Sequence, residues 1–228
     1  MQERLTRKLD LERMLQKVKP HPEPSPDLEQ YTIPADAAAT LLYIAAYANK
    51  DIIRKRVIDL GCGTGRLAIG AAFLGANEVM GIDIDKTAVK AAYENSLKTG
   101  FAKKTQWIAG DIDSIRGNFD TVLQNPPFGV QKRGADRKFI AKALELGNVV
   151  YSLHKRPGED LTLVRKLKTT SDGVMAVSAS AFMKRFVEEN GGRIEGVFAL
   201  LMTIPRMFDF HTKGKHEFPV DLYVMRRK

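Results

Sequence analysis

Cysteine is almost missing from this 228-residue chain: Cys62 is its only one. That excludes an internal disulfide and a cysteine-built zinc cage, and it fits a reducing compartment. Long apolar runs are missing too. No window approaches the roughly 18 consecutive apolar residues of a membrane-crossing helix, and the opening stretch MQERLTRKLDLERMLQKVK carries charge where a secretory signal would carry an apolar segment. The expectation is a protein without a membrane span, at work in the cytoplasm. Glycine and proline, at 18 and 10 residues, are too few for a fibrous or collagen-like chain. What is present, 44% hydrophobic and 28% charged residues, is the mix of a globular domain. A chain of this length buries roughly 70 to 75% of its unfolded surface without disulfides or metal.

The formal charge of +9 is unevenly spread. Residues 1–128 hold 17 Lys and Arg against 16 Asp and Glu, whereas residues 129–228 hold 19 against 11. Clustered basic groups suit a polyanion, because phosphates reward them through counterion release. A merely solubilising surface is the other reading of the same numbers.

Leu11, Met14, Leu15 and Val18 fall at i, i+3, i+4 and i+7, which predicts a short amphipathic helix within 4–18. PHPEPSP at 20–26 ends it, since its four prolines cannot continue a helix, and reads as an extended strap. Pro34 and Asp36 then open a second helix running to Ala48. Apolar runs at 57–61, 78–83, 105–111, 120–125 and 148–153 read as buried strands, with helices at 66–74, 86–99 and 136–146 between them. This alternation predicts a parallel sheet covered on both faces, with ligands at the carboxyl ends of its strands. After a polar, basic stretch at 154–173 come a helix around 180–190 and two strands, 194–205 and 218–225, joined by a long loop. The chain is read as an N-terminal helix and strap, 1–27, followed by one domain, 28–228.

The chemistry gathers at those strand ends. Asp59-Leu60-Gly61-Cys62-Gly63-Thr64-Gly65 follows the first strand and opens a helix, and its glycines allow a tight turn and close approach of a ligand to the main chain. Arg66 stands where the dinucleotide fingerprint wants a glycine, and no Lys-Ser/Thr follows to make a P-loop. Asp83, ending the second strand, can accept both hydroxyls of a ribose. Asp111, after the third, can take the exocyclic amine of an adenine, while Asp85 suits a helix cap. Each carboxylate alone is more often a strand-end or cap residue. At the end of the fourth strand, Asn125-Pro126-Pro127-Phe128 stiffens the chain, removes two backbone donors and leaves carbonyls beside an amide, an arrangement suited to a planar amine.

DLGCGTG (59–65), Asp83, GDI (110–112) and NPPF (125–128) resemble the motifs of class I S-adenosylmethionine-dependent methyltransferases that act on amino groups. More narrowly, LEQYTIP (28–34), NPPFG (125–129), ADR (135–137) and VYSLHK (150–155) resemble the methyltransferase-like protein 5 family, adenine N6-methyltransferases of small-subunit ribosomal RNA. The likeness spans 28–155, with a weaker echo in FDFHTKGK (208–215) and VDLY (220–223), and finds no counterpart for 156–192. It implies a Rossmann-like fold with a mostly parallel, seven-stranded sheet and helices on both faces. S-adenosylmethionine would be the methyl donor. Gln30 and Thr32 would cover it, Gly61 and Gly63 would back its methionine part with Thr64 and Arg66 beside them, and Asp59 would face its ammonium group through solvent. Asp83 would hold the ribose, and Asp111 with Ile112 would frame the adenine. The transfer set would be Asn125, Pro126, Pro127 and Phe128, the Asn125 oxygen and the Pro126 carbonyl accepting the amine hydrogens while Phe128 stacks on an extruded base.

Candidate RNA contacts are Lys132, Arg133, Arg137 and Lys138, then Lys155 and Arg156, and the loop carrying His211, Lys213 and Lys215, with Phe208 or Phe210 available for stacking. For any one of them a solvated charge is an equally good reading. No metal site is expected, because His211 and His216 lack a third ligand at suitable spacing. His154 is expected to orient a loop near the pocket, and Trp107 and the Tyr43/Tyr47 pair to belong to the core. Three other functions stay open: protein glutamine methylation, DNA adenine methylation, and RNA binding with a vestigial cofactor site. The resemblance further implies a small zinc-containing activator protein bound at a sheet edge.

Overall fold

The structure, a computed structural model, describes residues 5–25, 28–30, 32–128, 134–156, 158, 160–205 and 215–228. The amphipathic N-terminal segment forms α1 (Lys8–Leu15) and the Ala/Leu-rich run forms α2 (Ala35–Tyr43), which widens into a π turn over Ile44–Ala48. There follow β1 (Arg56–Leu60), α3 (Arg66–Phe73), β2 (Glu78–Asp83), α4 (Lys86–Thr99), β3 (Thr105–Ala109), β4 (Phe119–Gln124), α5 (Ala135–Leu146) and β5 (Gly147–Lys155). The last third contributes α6 (Leu161–Thr169), β6 (Val174–Ala176), α7 (Ala181–Glu189), β7 (Gly192–Pro205) and β8 (Lys215–Arg227).

All the strands join one sheet in the order β3-β2-β1-β4-β5-β8-β7-β6. Strands β1 to β5 pair in parallel, β8 runs antiparallel between β5 and β7, and β6 pairs antiparallel with β7. The sheet is therefore mostly parallel, as expected, but eight strands are described where seven were expected. The addition is β6, three residues held at the edge by Val174 opposite Leu200. A strand that short carries no readable alternation. Its neighbour α6 lay inside the stretch read as polar and basic. Asp160 caps it by accepting the Leu163 N–H at 2.9 Å, and Leu163 and Leu167, one turn apart, are buried against Ala199 of β7.

Alternate residues of each strand feed two apolar layers. On one face Val57, Val79 and Leu123 meet Leu11, Leu15, Leu41, Leu42 and Ile69 of α1, α2 and α3. On the other, Ile58, Leu60 and Val122 meet Ile140 and Leu144 of α5 and Val187 of α7. The N-terminal helix thus shares the core of the sheet. Its approach is close: a Cβ on Gly70 of α3 would lie 2.3 Å from Leu42 and 3.0 Å from Leu15. Tyr43 and Tyr47 pack ring to ring at 4.8 Å, and Trp107 lies over Gly65 and Gly81. Among the described residues no helix is long and apolar enough to cross a membrane.

Candidate active site

The sheet changes direction between β1 and β4, and in such sheets the carboxyl ends on either side of that point leave a crevice. A cavity of about 390 Å³ opens there. Its floor is the turn after β1. Gly61 and Cys62 donate their N–H groups to the Ile82 carbonyl, both at 2.9 Å, and Gly61, Gly63 and Gly65 all adopt positive φ. Gly61 and Gly65 are also closely packed, since a Cβ would meet Phe139 or Trp107 within 3 Å, whereas nothing lies within 4 Å of the position a Cβ would take on Gly63. Gly63 is therefore where a ligand can reach the main chain.

Three carboxylates stand around this turn. Asp83 accepts the Gly63 N–H at 2.8 Å and the Asp85 N–H at 3.0 Å, and burial raises its pKa. Asp59, 1% exposed, accepts the Ala68 N–H at 3.1 Å, and burial pushes its pKa up to about 8. Asp111 caps a short 3-10 turn, Ile112–Ser114, and receives Lys138 Nζ at 2.7 and 2.9 Å.

The proline-rich strap, taken with the residues that follow it as far as Ile33, lines one side of the cavity through His21, Leu28, Glu29, Gln30, Thr32 and Ile33. Arg66, whose pKa burial lowers to about 10, donates to the Ile33 carbonyl and, at 2.7 Å, to that of Val18. Asn95 donates to the Lys19 carbonyl and accepts its N–H, both at 3.1 Å. Asp85 caps α4 through Thr87 N–H and also takes Gln30 Nε2 at 2.7 Å and His21 Nε2 at 2.9 Å. Burial alone would raise the Asp85 carboxyl, but the hydrogen bonds from Gln30, Thr87 and His21 hold it below the ordinary carboxylate range. Because His21 Nδ1 accepts the Glu23 N–H, Nε2 carries the proton toward Asp85. Gln30 Oε1 accepts Ser25 N–H at 2.7 Å, and Thr32 Oγ1 accepts His21 N–H at 3.4 Å.

Gln30, Thr32, Asp59, Gly61, Gly63, Thr64, Arg66, Asp83, Asp111, Ile112, Asn125 and Pro127 all line the cavity. Pro126 and Phe128 do not. Phe128 packs edge to face on Phe218 at 6.0 Å, so the structure engages that ring in the core beside the cavity. The Asn125 side-chain oxygen and the Thr64 hydroxyl are buried with no hydrogen-bond partner among the described residues. A buried acceptor normally has a partner, so these two atoms fit a ligand that donates to them. Sequence reasoning missed His21, Glu29 and Phe139 on the cavity wall. Only Glu29, next to Gln30, lay within a motif.

Of the candidate RNA contacts, Arg137 is exposed with its guanidinium 4.9 Å above the Phe182 ring, and Lys155 sits 5.7 Å from the Phe218 ring. Lys138 bridges Asp111 and Asp113, and Arg156 pairs with Asp221 at 2.8 Å, so a phosphate would compete with carboxylates for both. Lys132, Arg133, His211, Lys213, Phe208 and Phe210 lie outside the described residues, as does the side chain of Lys215. Among the described residues no group of three or more His, Cys, Asp or Glu is placed to hold a metal. His154, 2.7 Å from Ser152 Oγ and 3.8 Å from Asp136 Oδ2, links β5 to the first turn of α5.

The strand order, the glycine turn and the crevice at the switch point are those of a class I methyltransferase. A family profile for ribosomal protein L11 methyltransferase (PrmA) matches residues 36–126. The crystal structure of a candidate RNA methyltransferase from Pyrococcus horikoshii superposes with a TM-score of 0.80 at 37% identity, covering 98% of this chain and 99% of that one. An uncharacterized protein of Methanocaldococcus jannaschii is 38% identical over 96% of this chain and 94% of its own length. The rRNA N(6)-adenosine-methyltransferase Mettl5 of Drosophila melanogaster is 31% identical over 93% of each chain. The chain belongs to the METTL5 methyltransferase family.

Proposed function

We propose that this protein transfers a methyl group from S-adenosylmethionine to the N6 amine of an adenine in RNA, most naturally small-subunit ribosomal RNA. The observation that carries the reading is the buried Asn125 oxygen, unpartnered among the described residues, on the wall of a cavity that also contains the Gly63 approach and the Asp83 carboxylate. Membership of a family whose named members methylate rRNA adenosine supports the substrate. Asp83 and Gly63 would hold the cofactor's ribose and methionine parts, Asp111 and Ile112 its adenine, and Gln30 and Thr32 its outer side. Bound there, the cofactor supplies an electrophilic methyl group on a sulfonium.

The chain's own part follows from the amine. An exocyclic amine on adenine is a weak nucleophile because its lone pair is delocalised into the ring. Asn125 Oδ1, on the cavity wall, would accept one of its hydrogens, and the Pro126 carbonyl, which does not line the cavity without substrate, would accept the other once the base enters, drawing the nitrogen toward tetrahedral geometry and freeing the lone pair. As the nitrogen bonds to the methyl carbon, the carbon–sulfur bond breaks and would leave a neutral thioether, and the proton that the methylated amine sheds passes to water, so no strong base is required; alignment of nucleophile and methyl group supplies much of the rate. The target base must leave its stack to enter. A cytoplasmic setting accords with the lone cysteine, and among the described residues β3 stands at an edge of the sheet, where a small zinc-containing activator of the kind the family resemblance implies would pair as a further strand.

The test is labelled-methyl transfer from S-adenosylmethionine onto ribosomal RNA of a strain lacking this gene, with the nucleoside identified by mass spectrometry. N6-methyladenosine at one site is the expected product. Transfer to a protein glutamine instead, or no transfer to any RNA, overturns the reading.

A further inference from the structure

The transfer tip is anchored unevenly. At its start, Gln124 is fully buried on β4, paired with Ser152 of β5 and donating from Nε2 to Ser152 Oγ at 2.8 Å. Beyond Asn125 come two prolines, which have no N–H to give. The first main-chain donor after Asn125 is therefore the Phe128 N–H. It donates to Glu29 Oε2 at 2.7 Å, across 99 positions of sequence.

Glu29 is an unusual partner. It is 6% exposed and holds φ +50°, a left-handed conformation that a non-glycine residue keeps only when its surroundings over-determine it. It also belongs to the strap, between Leu28 and Gln30 on the cavity wall. The strap is tied to the cofactor side through Gln30 and His21 on Asp85 and through Arg66 on the Ile33 carbonyl. Among the described residues, this hydrogen bond joins the segment that would cover the cofactor to the segment that would address the amine.

We propose that Glu29 is a positioning residue whose bond to the Phe128 N–H sets Asn125 for transfer only when the strap lies closed over the cofactor. This deepens, and rests on, the amine-transfer reading above. The coupling runs both ways: closing the strap orders the tip, and ordering the tip favours the closed strap.

The experiment compares the full chain with Glu29→Ala and Glu29→Gln. It reads methyl-transfer kcat at saturating S-adenosylmethionine, the cofactor Kd by calorimetry, and hydrogen exchange of the Phe128 amide by NMR with and without cofactor. In the unsubstituted protein, cofactor should slow Phe128 exchange. Glu29→Ala should lower kcat by about 10- to 100-fold, the loss of one charge-assisted hydrogen bond. It should shift the cofactor Kd by less than about threefold and speed Phe128 exchange by about tenfold or more. Glu29→Gln, whose side-chain carbonyl can accept the same N–H, should recover kcat to within about fivefold. Unchanged kcat or unchanged Phe128 exchange in Glu29→Ala overturns the proposal. So does a defect confined to cofactor Kd, or Glu29→Gln as impaired as Glu29→Ala. If the unsubstituted chain methylates no RNA, the function reading fails, while cofactor-dependent protection of Phe128 and its loss in Glu29→Ala still decide the clasp.

Discussion

Asn125→Ala separates the chemistry of the site from the stability of the fold. The Asn125 oxygen is buried without a partner among the described residues. Left without even a water, such an acceptor costs about 1 to 3 kcal/mol, and water in the cavity brings that cost toward zero in the free protein. Removing the amide relieves that cost, while the lost side-chain contacts take back about 1 kcal/mol. The net change in stability is then close to zero or favourable. For a domain of this size about 1 kcal/mol moves Tm by about 2 to 4 °C, so Tm should stay within about 4 °C of the parent or rise. Turnover should behave oppositely: loss of one preorganised group that interacts most strongly in the transition state costs about 10² to 10³ in kcat. Cofactor Kd should change little. Single-turnover transfer, calorimetric titration and scanning calorimetry on the same preparation read all three. Turnover within tenfold of the parent, or a Tm lower by more than about 5 °C, would show that Asn125 is a structural residue and refute the reasoning.

Other predictions follow from particular groups. Burial raises the Asp59 carboxyl to about 8, so below that pH a cationic cofactor must displace its proton. Affinity should therefore climb with pH by up to about a decade per unit until pH 8, with buffer-dependent proton release, and Asp59→Asn should flatten the profile. The same shift has the opposite sign for folding. Between the ordinary carboxylate range and about 8 the folded chain keeps a proton that the unfolded chain has lost, so Asp59 makes stability fall as pH rises through that window, which urea titrations across pH would read. Gly70→Ala should destabilise by about 1 to 3 kcal/mol, despite alanine's better helix propensity, because its methyl would overlap Leu42. Tyr151→Phe should cost about 1 to 3 kcal/mol in chemical denaturation, since the hydroxyl accepts from Asn49 and donates to Asp51 at 2.7 Å each, tying β5 to the segment before β1.

The glycine turn, the strand-end carboxylates and NPPF were legible because each is a local pattern whose meaning depends on a strand just before it. Periodicity likewise gave the long helices and buried strands. What was not legible depends on distant partners. Nothing in the sequence marks Glu29 as meeting Phe128, or His21 as meeting Asp85, because only the closed fold brings those segments together. Lys138 and Arg156 looked like phosphate ligands, yet the fold supplies each with carboxylates from remote elements. The helix α6 was hidden for a different reason: only Leu163 and Leu167 are buried, too few to stand out among its lysines and arginine.

The antiparallel β8 lies between β5 and β7 rather than at a margin. During synthesis the residues that make it leave the ribosome after both of its neighbours. Until then the β5 flank, with its apolar Val150, Tyr151 and Leu153, stays open to any extended peptide nearby. A nascent chain of this protein therefore carries an adhesive margin from the completion of β5 until β8 emerges about 60 to 70 residues later, and the hazard of misassembly ends only when that late strand slots in.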